Sequence, residues 1–144
     1  FIGPNSMGHA DTSSNFSTLS WIKNVTKGPI GFISQSGTYG HRISRIGMRA
    51  GIGFSKFINS GNEADLHLED FLEYLARDEE TKIILAYIEG LREGKRFFQL
   101  AREITKQKPI IVMKAGRSEM VAKAVKSHSA ALIGSDLIYD ALFK

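Results

Sequence analysis

The sequence predicts an α/β protein of three layers, in which helices cover both faces of a parallel sheet. Four short apolar segments rich in Ile, Val and Phe alternate along the chain with segments that place apolar residues at helical spacing. Small or polar residues follow each apolar segment, as is typical of the turn from a strand into a helix. Strands and helices that alternate in this way form βαβ units, because each helix returns the chain to the start of a parallel strand.

The first predicted strand is residues 30–34, and a helix follows it up to Ala50. The strand reads Ile-Gly-Phe-Ile-Ser, a short apolar run with β-branched residues. In the helix, one face carries Tyr39, Ile43, Ile46 and Ala50. We therefore expect this face to pack on the sheet.

Three further strands are predicted at residues 54–58, 82–88 and 109–113. The segment 82–88 is nearly all apolar, which indicates a strand that is buried on both faces. Each of these strands is followed by a segment with helical periodicity, so the parallel sheet continues through all four strands.

The helix after residues 54–58 has an apolar stripe, formed by Leu68, Phe71, Leu72 and Leu75. The helix at 94–105 carries apolar residues at the same spacing, namely Phe97, Phe98, Ala101 and Ile104. Two more helices are predicted at 119–125 and 136–143, with Ser118 and Ser135 as their N-caps. The expected architecture is flavodoxin-like or Rossmann-like.

The first 26 residues are rich in Ser, Asn, Thr and Gly, and they predict an irregular lead-in without strands or helices. We expect residues 1–28 to be this lead-in and residues 29–144 to be the α/β domain. Since the chain ends within a predicted helix, we expect the domain to be incomplete at that end.

The composition excludes several classes of protein. The 144 residues, 42% of them hydrophobic, suffice for one buried core, and the absence of cysteine rules out a disulfide framework, a thiol nucleophile and a thiolate metal site. No apolar run has the length of a membrane span and no signal peptide is recognisable, so we expect a cytoplasmic protein without membrane contact. The net charge is +4, but aromatic residues do not interleave with the basic ones, and no nucleic-acid binding is predicted.

Ligands of parallel sheets bind where the strands end, so the residues after each strand are the candidate site. Ser36, Gly37 and Thr38 follow the first strand and precede a helix. Free N–H groups and hydroxyls at a helix N-terminus favour a bound phosphate. The alternative, in which Ser36 only caps the helix and binds no phosphate, is equally consistent with the sequence.

Two further residues predict phosphoryl chemistry. His128 lies among small residues in the segment 126–136, and a neutral imidazole is a nucleophile. Glu89 ends an apolar strand, where its carboxylate can hold an imidazole in one tautomer. Taken alone, the segment 126–136 favours an ordinary loop histidine over a phosphate carrier at His128. For Glu89, a carboxylate that is only solvated at the exposed end of a strand is as well supported as a functional one.

Supporting contacts to a phosphate are expected from Asn62, Lys114 and Arg117, although basic residues at such positions are more often solvated. The remaining histidines have no partners at the spacing of metal ligands, and no metal site is predicted.

Taken together, these segments resemble the NDP-forming acyl-CoA synthetases, the superfamily of succinyl-CoA synthetase and the ADP-forming acetyl-CoA synthetases. The resemblance begins at Gly3 and runs to the end of the chain. The segments that carry it are Gly3-Pro4-Asn5-Ser6-Met7-Gly8, Ile33-Ser34-Gln35-Ser36-Gly37-Thr38, Gly61-Asn62-Glu63-Ala64-Asp65, Tyr87-Ile88-Glu89-Gly90, Lys114-Ala115-Gly116-Arg117 and Ser127-His128-Ser129 with Gly134-Ser135-Asp136.

The resemblance implies a ligase that interconverts acyl-CoA, phosphate and NDP with a carboxylic acid, CoA and NTP through a phosphohistidine at His128. Glu89 would orient the ring, and Ser36, Gly37 and Thr38 would hold the phosphate. The whole enzyme would use CoA, ADP or ATP and Mg²⁺, with no cofactor bound by this domain alone. Its partners would be a CoA-binding Rossmann domain and an ATP-grasp nucleotide-binding domain or subunit, in an oligomer, and the isolated fragment would be inactive.

Two alternatives remain. A synthetase-like region fused to an acetyltransferase would sense ligands without completing the reaction, but such a region would often lack the histidine. A flavodoxin-type module would hold the phosphate of FMN, but it would need a pair of aromatic residues around the flavin, and Trp21 is the only tryptophan.

Overall fold

A mixed sheet of six strands forms the centre of the protein, whose computed structural model describes residues 1–19 and 25–116. The strands are β1 (His9–Asp11), β2 (Phe16–Ser17), β3 (Lys27–Ser34), β4 (Phe54–Asn59), β5 (Ile83–Ile88) and β6 (Ile110–Lys114). The helices are α1 (Gly37–Arg49), α2 (Leu68–Arg77) and α3 (Gly94–Ile104). All four predicted strands and the three predicted helices within the described residues are therefore present, with bounds that differ by a few residues.

The strand order is β2-β1-β4-β3-β5-β6, and strands β3 to β6 are parallel. The first parallel strand, β3, has the second on one side and the third on the other. This is the flavodoxin-like order rather than the Rossmann order, and its switch point lies at the end of β3. A ligand site is expected in the crevice between the carboxyl ends of β3 and β5.

Two hydrophobic cores lie on opposite faces of the sheet, because successive side chains of a strand point to opposite sides. One core joins α2 and α3 to the sheet and includes the whole predicted stripe of α2 as well as Phe97 and Ile104 of α3. The other lies under α1 and contains Phe32, Phe54 and Phe57. The three-layer arrangement predicted from the sequence is thus confirmed.

The predicted packing face of α1 is wrong for three of its four residues, and only Ile43 packs against the core under this helix. Tyr39 and Ile46 are exposed, and the helix instead buries Gly40, Ser44 and Gly47. An added Cβ at Gly40 would lie 3.0 Å from the ring of Phe57, so the aromatic rings of the sheet fill the space that large helix residues would need. The helix packs closely through its small residues.

The lead-in is not irregular, and this expectation is also wrong. Residues 9–17 form the hairpin of β1 and β2, and β1 pairs antiparallel with β4, with Ala10 opposite Phe57. Polar composition did not reveal these strands, because they are short and β1 is held by its pairing with β4, which is distant in the sequence. The sheet is consequently mixed rather than wholly parallel.

The predicted helices at 119–125 and 136–143 lie outside the described residues. Within the described residues, no helix combines the length and the apolar character that crossing a membrane requires.

Candidate functional site

The carboxyl ends of β3, β4 and β5 meet around the side chain of Gln35. Its Oε1 accepts hydrogen bonds from the backbone N–H groups of Glu89 (2.6 Å) and Gly90 (3.0 Å), and its Nε2 donates to the carbonyl of Gly90 (2.8 Å). The backbone N–H of Gln35 donates to the carbonyl of Tyr87 (3.2 Å). One amide thus fixes the turn that follows β5 against the turn that follows β3.

A narrow cleft opens beside Gln35, at the switch point of the sheet. Its walls come from three turns, and its lining residues are Gln35, Gly61, Asn62, Glu63, Glu89, Gly90, Leu91 and Arg92. The cleft therefore contains two carboxylates, one guanidinium and two side-chain amides. Such a mixture suits a small polar ligand with an anionic group, which a guanidinium and amide N–H groups bind well.

Ser36, Gly37 and Thr38 lie at the N-terminus of α1, as predicted. Ser36 is the N-cap, and its Oγ accepts a hydrogen bond from the backbone N–H of Tyr39 (3.3 Å). Ser36 therefore caps α1 in the structure, whereas phosphate binding by this turn stays a prediction. Side-chain atoms of Met7 lie close to Gly37 on one side, so a ligand of this turn would approach from another.

Glu89 lies directly after β5 and lines the cleft, half-buried. Lys114, the last residue of β6, donates from Nζ to the backbone carbonyls of Glu89 (2.8 Å) and Ala115. The carboxylate of Glu89 also affects Tyr87. Burial together with the negative charge of Glu89 and the nearby Tyr39 raises the pKa of Tyr87 to about 12.

Asn62 joins the cleft to the lead-in. Its backbone N–H donates to the carbonyl of Pro4 (2.9 Å), and Asn5 donates to its side-chain oxygen (3.3 Å). Arg92 donates from Nη2 to the backbone carbonyl of Asn62 (2.9 Å) and so spans the mouth of the cleft. The structure thus brings Asn62, Glu89 and Lys114 to one edge of the sheet, as the sequence predicted.

Glu63 and Arg92 also line the cleft, and the sequence reasoning did not single them out. Glu63 is 2% exposed, although it lies in a polar turn, where a carboxylate is ordinarily solvated. Its backbone has φ 53°, a left-handed conformation that is uncommon for residues other than glycine. The sequence held no signal for this burial, because it results from contacts with Ser60, Gln35 and α2 that exist only in the folded protein.

His128, Arg117 and Trp21 lie outside the described residues. The roles expected of His128 and Arg117 therefore stay predictions. The described residues contain no group of three or more His, Cys, Asp or Glu side chains that could hold a metal ion.

The fold and the strand-end cleft define a flavodoxin-like α/β domain with its ligand edge at the switch point. The sequence model of the family described as the succinyl-CoA ligase like flavodoxin domain matches residues 27–144. The chain belongs to this family.

Among known proteins, the chain is similar to the alpha subunit of ADP-forming acetate-CoA ligase II of Pyrococcus furiosus. The two are 47% identical over 143 residues, which is 99% of this chain and 31% of that subunit. It is also similar to the ADP-forming 4-hydroxybutyrate-CoA ligase of Nitrosopumilus maritimus, with 40% identity over 147 residues, 99% of this chain and 21% of the relative. The chain thus spans about a third or less of the length of these relatives.

The fold is also that of a solved structure, the dinucleotide forming acetyl-coenzyme A synthetase 1 of Ca. Korarchaeum cryptofilum in complex with phosphate and ADP. The TM-score is 0.92 with 36% sequence identity, over 99% of this chain and 31% of that one. A structure of the same synthetase in its apo form gives a TM-score of 0.91.

Proposed function

We propose that this chain is the flavodoxin-like, phosphoryl-carrying part of an ADP-forming acid-CoA ligase. The observation that carries the proposal is the polar cleft at the switch point, which is lined by Glu89, Arg92 and Asn62. The similarity to ADP-forming ligases over nearly the whole chain supports the same reaction class.

The reaction proceeds in three group transfers. A phosphate oxygen attacks the thioester carbonyl of acyl-CoA, so the C–S bond breaks, CoA leaves as its thiol and an acyl phosphate forms. A nitrogen of His128 then attacks phosphorus, and the P–O bond to the carboxylic acid breaks. Finally the phosphoryl group passes from His128 to the β-phosphate of ADP, which gives ATP and frees the imidazole.

Each predicted site residue of this chain has one task. Backbone N–H groups and hydroxyls of Ser36, Gly37 and Thr38 hold the phosphate oxygens at the positive end of α1. Glu89 accepts a hydrogen bond from the second nitrogen of His128 and stabilises the charged ring.

Three residues support these tasks. Lys114 holds the backbone at Glu89 through the 2.8 Å hydrogen bond to its carbonyl. Asn62 lines the opposite wall of the cleft. Arg117 neutralises phosphate charge.

The remaining chemistry belongs to other parts of the enzyme. Following the resemblance, we assign metal and nucleotide to an ATP-grasp domain or subunit, and CoA to a Rossmann domain. We also propose that the full enzyme is an oligomer and that it works in the cytoplasm. By itself the fragment would not turn over.

The experiment uses the full-length protein with its nucleotide-binding partner, incubated with Mg²⁺ and ATP labelled at the γ-phosphate. We expect a protein-bound label that is labile in acid and stable in base, absent from His128→Ala and present in His41→Ala. His41 is the matched control, because it lies on α1 outside the cleft. Nucleotide binding without any label would contradict the proposal and favour the ligand-sensing alternative.

A further inference from the structure

The turn that carries Glu89 lies beyond the hydrogen-bonded ladders that join β5 to its neighbours. The last residue pairs of these ladders are Tyr87 with Ser34 of β3 and Ile88 with Lys114 of β6. Glu89 therefore lies outside both ladders. In such a turn, the position of a side chain depends on the groups that bind the local backbone N–H and C=O.

Side chains from β6 and from the end of β3 make the hydrogen bonds of this turn. Gln35, directly after β3, accepts at Oε1 from the backbone N–H groups of Glu89 (2.6 Å) and Gly90 (3.0 Å), and its Nε2 donates to the carbonyl of Gly90 (2.8 Å). From the other side, Nζ of Lys114 donates to the carbonyl of Glu89 (2.8 Å). The N–H and the C=O of Glu89 are thus each bound by a side chain from a different neighbouring strand.

The amide of Gln35 matches the groups that this turn presents. Two adjacent N–H donors converge on its oxygen, which has two lone pairs, while its nitrogen meets a carbonyl. A flipped amide would turn its N–H groups towards the two N–H donors and its oxygen towards the carbonyl of Gly90, and all three bonds would be lost. An ionised glutamate lacks the donor and a methionine lacks both functions, so only glutamine makes all of these bonds at this length.

The backbone of Gln35 is itself bound by both neighbouring strands. Its N–H donates to the carbonyl of Tyr87 (3.2 Å), and its carbonyl accepts from Nδ2 of Asn59 (3.4 Å). Asn59, the last residue of β4, is fully buried and donates from the same nitrogen to the carbonyl of Ser34 (2.7 Å). The Gln35 amide therefore extends to the turn from a backbone that β4 and β5 hold in place.

We propose that Gln35 is a positioning residue, whose amide fixes the backbone at Glu89 and so sets the place of the Glu89 carboxylate in the cleft. A shift of about 1 Å in a contact to the reacting groups is enough to slow a reaction strongly. The inference rests on the proposed function only for the task of Glu89 in phosphoryl transfer. The contact of Gln35 with the turn is a property of the fold and has a readout of its own.

The test removes the amide in the full-length protein with its nucleotide-binding partner. Gln35→Met keeps the length of the side chain, but it leaves the N–H groups of Glu89 and Gly90 without their acceptor. Glu89→Gln keeps the shape of residue 89 and removes its charge, and the double variant Gln35→Met/Glu89→Gln completes the cycle. Gln99→Met is the matched control, because Gln99 is an exposed glutamine on α3.

Two quantities are measured: amide hydrogen exchange of the peptide that contains Glu89 and Gly90, and the rate at which His128 becomes labelled at saturating ATP. For Gln35→Met we expect exchange about tenfold faster and labelling about tenfold slower, the size of a coupling between contacting residues. In the double variant, labelling should be as slow as in Glu89→Gln alone, because the place of residue 89 no longer matters once its charge is removed. Gln99→Met should change neither quantity.

Unchanged exchange in Gln35→Met would overturn the inference. A double variant that is labelled about tenfold more slowly than Glu89→Gln would also overturn it, because a merely structural loss adds to the loss at Glu89 instead of acting through that residue.

If Gln35→Met does not fold, Gln35→Asn tests the same contact, because it keeps the amide and shortens its reach by a methylene. Faster exchange and slower labelling in Gln35→Asn support the inference, and unchanged values refute it. If the unmodified protein is never labelled while the exchange results hold, the proposed function fails and the contact of Gln35 with the turn stands.

Discussion

Lys56 has its charge almost wholly buried in β4, with a side chain 5% exposed. Its Nζ lies 3.2 Å from carboxylate oxygens of both Asp11 and Asp78, so one ammonium joins β1, β4 and the end of α2. Burial disfavours the charged lysine, but the hydrogen bonds and charges of Asp78 and Asp11 outweigh this and raise the pKa of Lys56. Lys56 is therefore charged at neutral pH, and its ion pairs stabilise the contact of the hairpin with the sheet.

These ion pairs predict a loss of stability in acid. Burial opposes ionisation of Asp11, but hydrogen bonds from Ser13, Lys56 and Ser14 lower the pKa of Asp11 to about 2. Because the folded pKa lies below the unfolded value, the stabilisation is complete above about pH 4 and is lost as the pH falls through about 2. We expect this site to contribute about 2 kcal/mol to the free energy of unfolding.

Urea unfolding between pH 2 and pH 6 checks this. Between pH 2 and pH 6, the free energy of unfolding of Asp11→Asn should rise by about 2 kcal/mol less than that of the unmodified protein. The control Glu79→Gln should leave the pH dependence of the free energy of unfolding unchanged. Equal slopes for Asp11→Asn and the unmodified protein would show that the contacts of Asp11 with Ser13, Lys56 and Ser14 do not lower its pKa in the folded protein.

At the scale of residues, the sequence predicted what depends on strand ends and missed what depends on contacts across the sheet. Glu89, Asn62 and Lys114 could be placed together because parallel strands end at one edge. The burial of Glu63 and of Lys56 could not be predicted, because an isolated charged residue in a turn or strand is ordinarily solvated. Only the folded protein supplies their partners.

Among the elements, α1 shows how a periodic pattern can mislead. Tyr39 and Ile46 are 46% and 59% exposed, while Gly40, Ser44 and Gly47 pack on the sheet. The rule that apolar residues face the core assumes room between helix and sheet, and the rings of Phe54 and Phe57 already fill that room. By contrast α2 lies over smaller aliphatic side chains, and its apolar stripe predicted the buried face correctly.

A pair of substitutions on α1 tests which face packs. Gly40→Val would force a side chain against Phe57 and Ser34, and we expect overpacking to cost about 1–3 kcal/mol. Ile46→Gln changes an exposed side chain and should shift the free energy of unfolding by less than about 0.5 kcal/mol. Thermal and urea unfolding of both variants give the comparison, and a larger loss in Ile46→Gln than in Gly40→Val would reverse the assignment of the buried face.

Over the whole molecule, the lead-in completes the sheet rather than preceding it. All six residues of β4 are buried, and both edges of its backbone are paired, one with β3 and the other with β1. Before β1, Ser6 Oγ donates to the carbonyl of Asn59 (2.5 Å), and the carbonyl of Pro4 accepts from the backbone N–H of Asn62. The lead-in therefore also supports a wall of the cleft. The sequence predicted the four parallel strands but not this hairpin, since its strands are short and polar and β1 pairs with β4, which is distant in the sequence.

Removal of residues 1–17 should therefore affect the assembly as well as the stability. The deletion leaves the backbone of β4 unpaired along one edge, and an exposed apolar edge strand pairs with other chains. We expect light scattering to show higher oligomers or aggregates, and the unfolding temperature to fall by several degrees because Lys56 also loses Asp11. The control Phe16→Ser alters an exposed residue at the far strand of the hairpin and leaves the ladder between β1 and β4 intact, so it should keep the assembly of the unmodified protein. If the variant that lacks residues 1–17 keeps the assembly and the unfolding temperature of the unmodified protein, β4 tolerates an unpaired edge and the hairpin is dispensable.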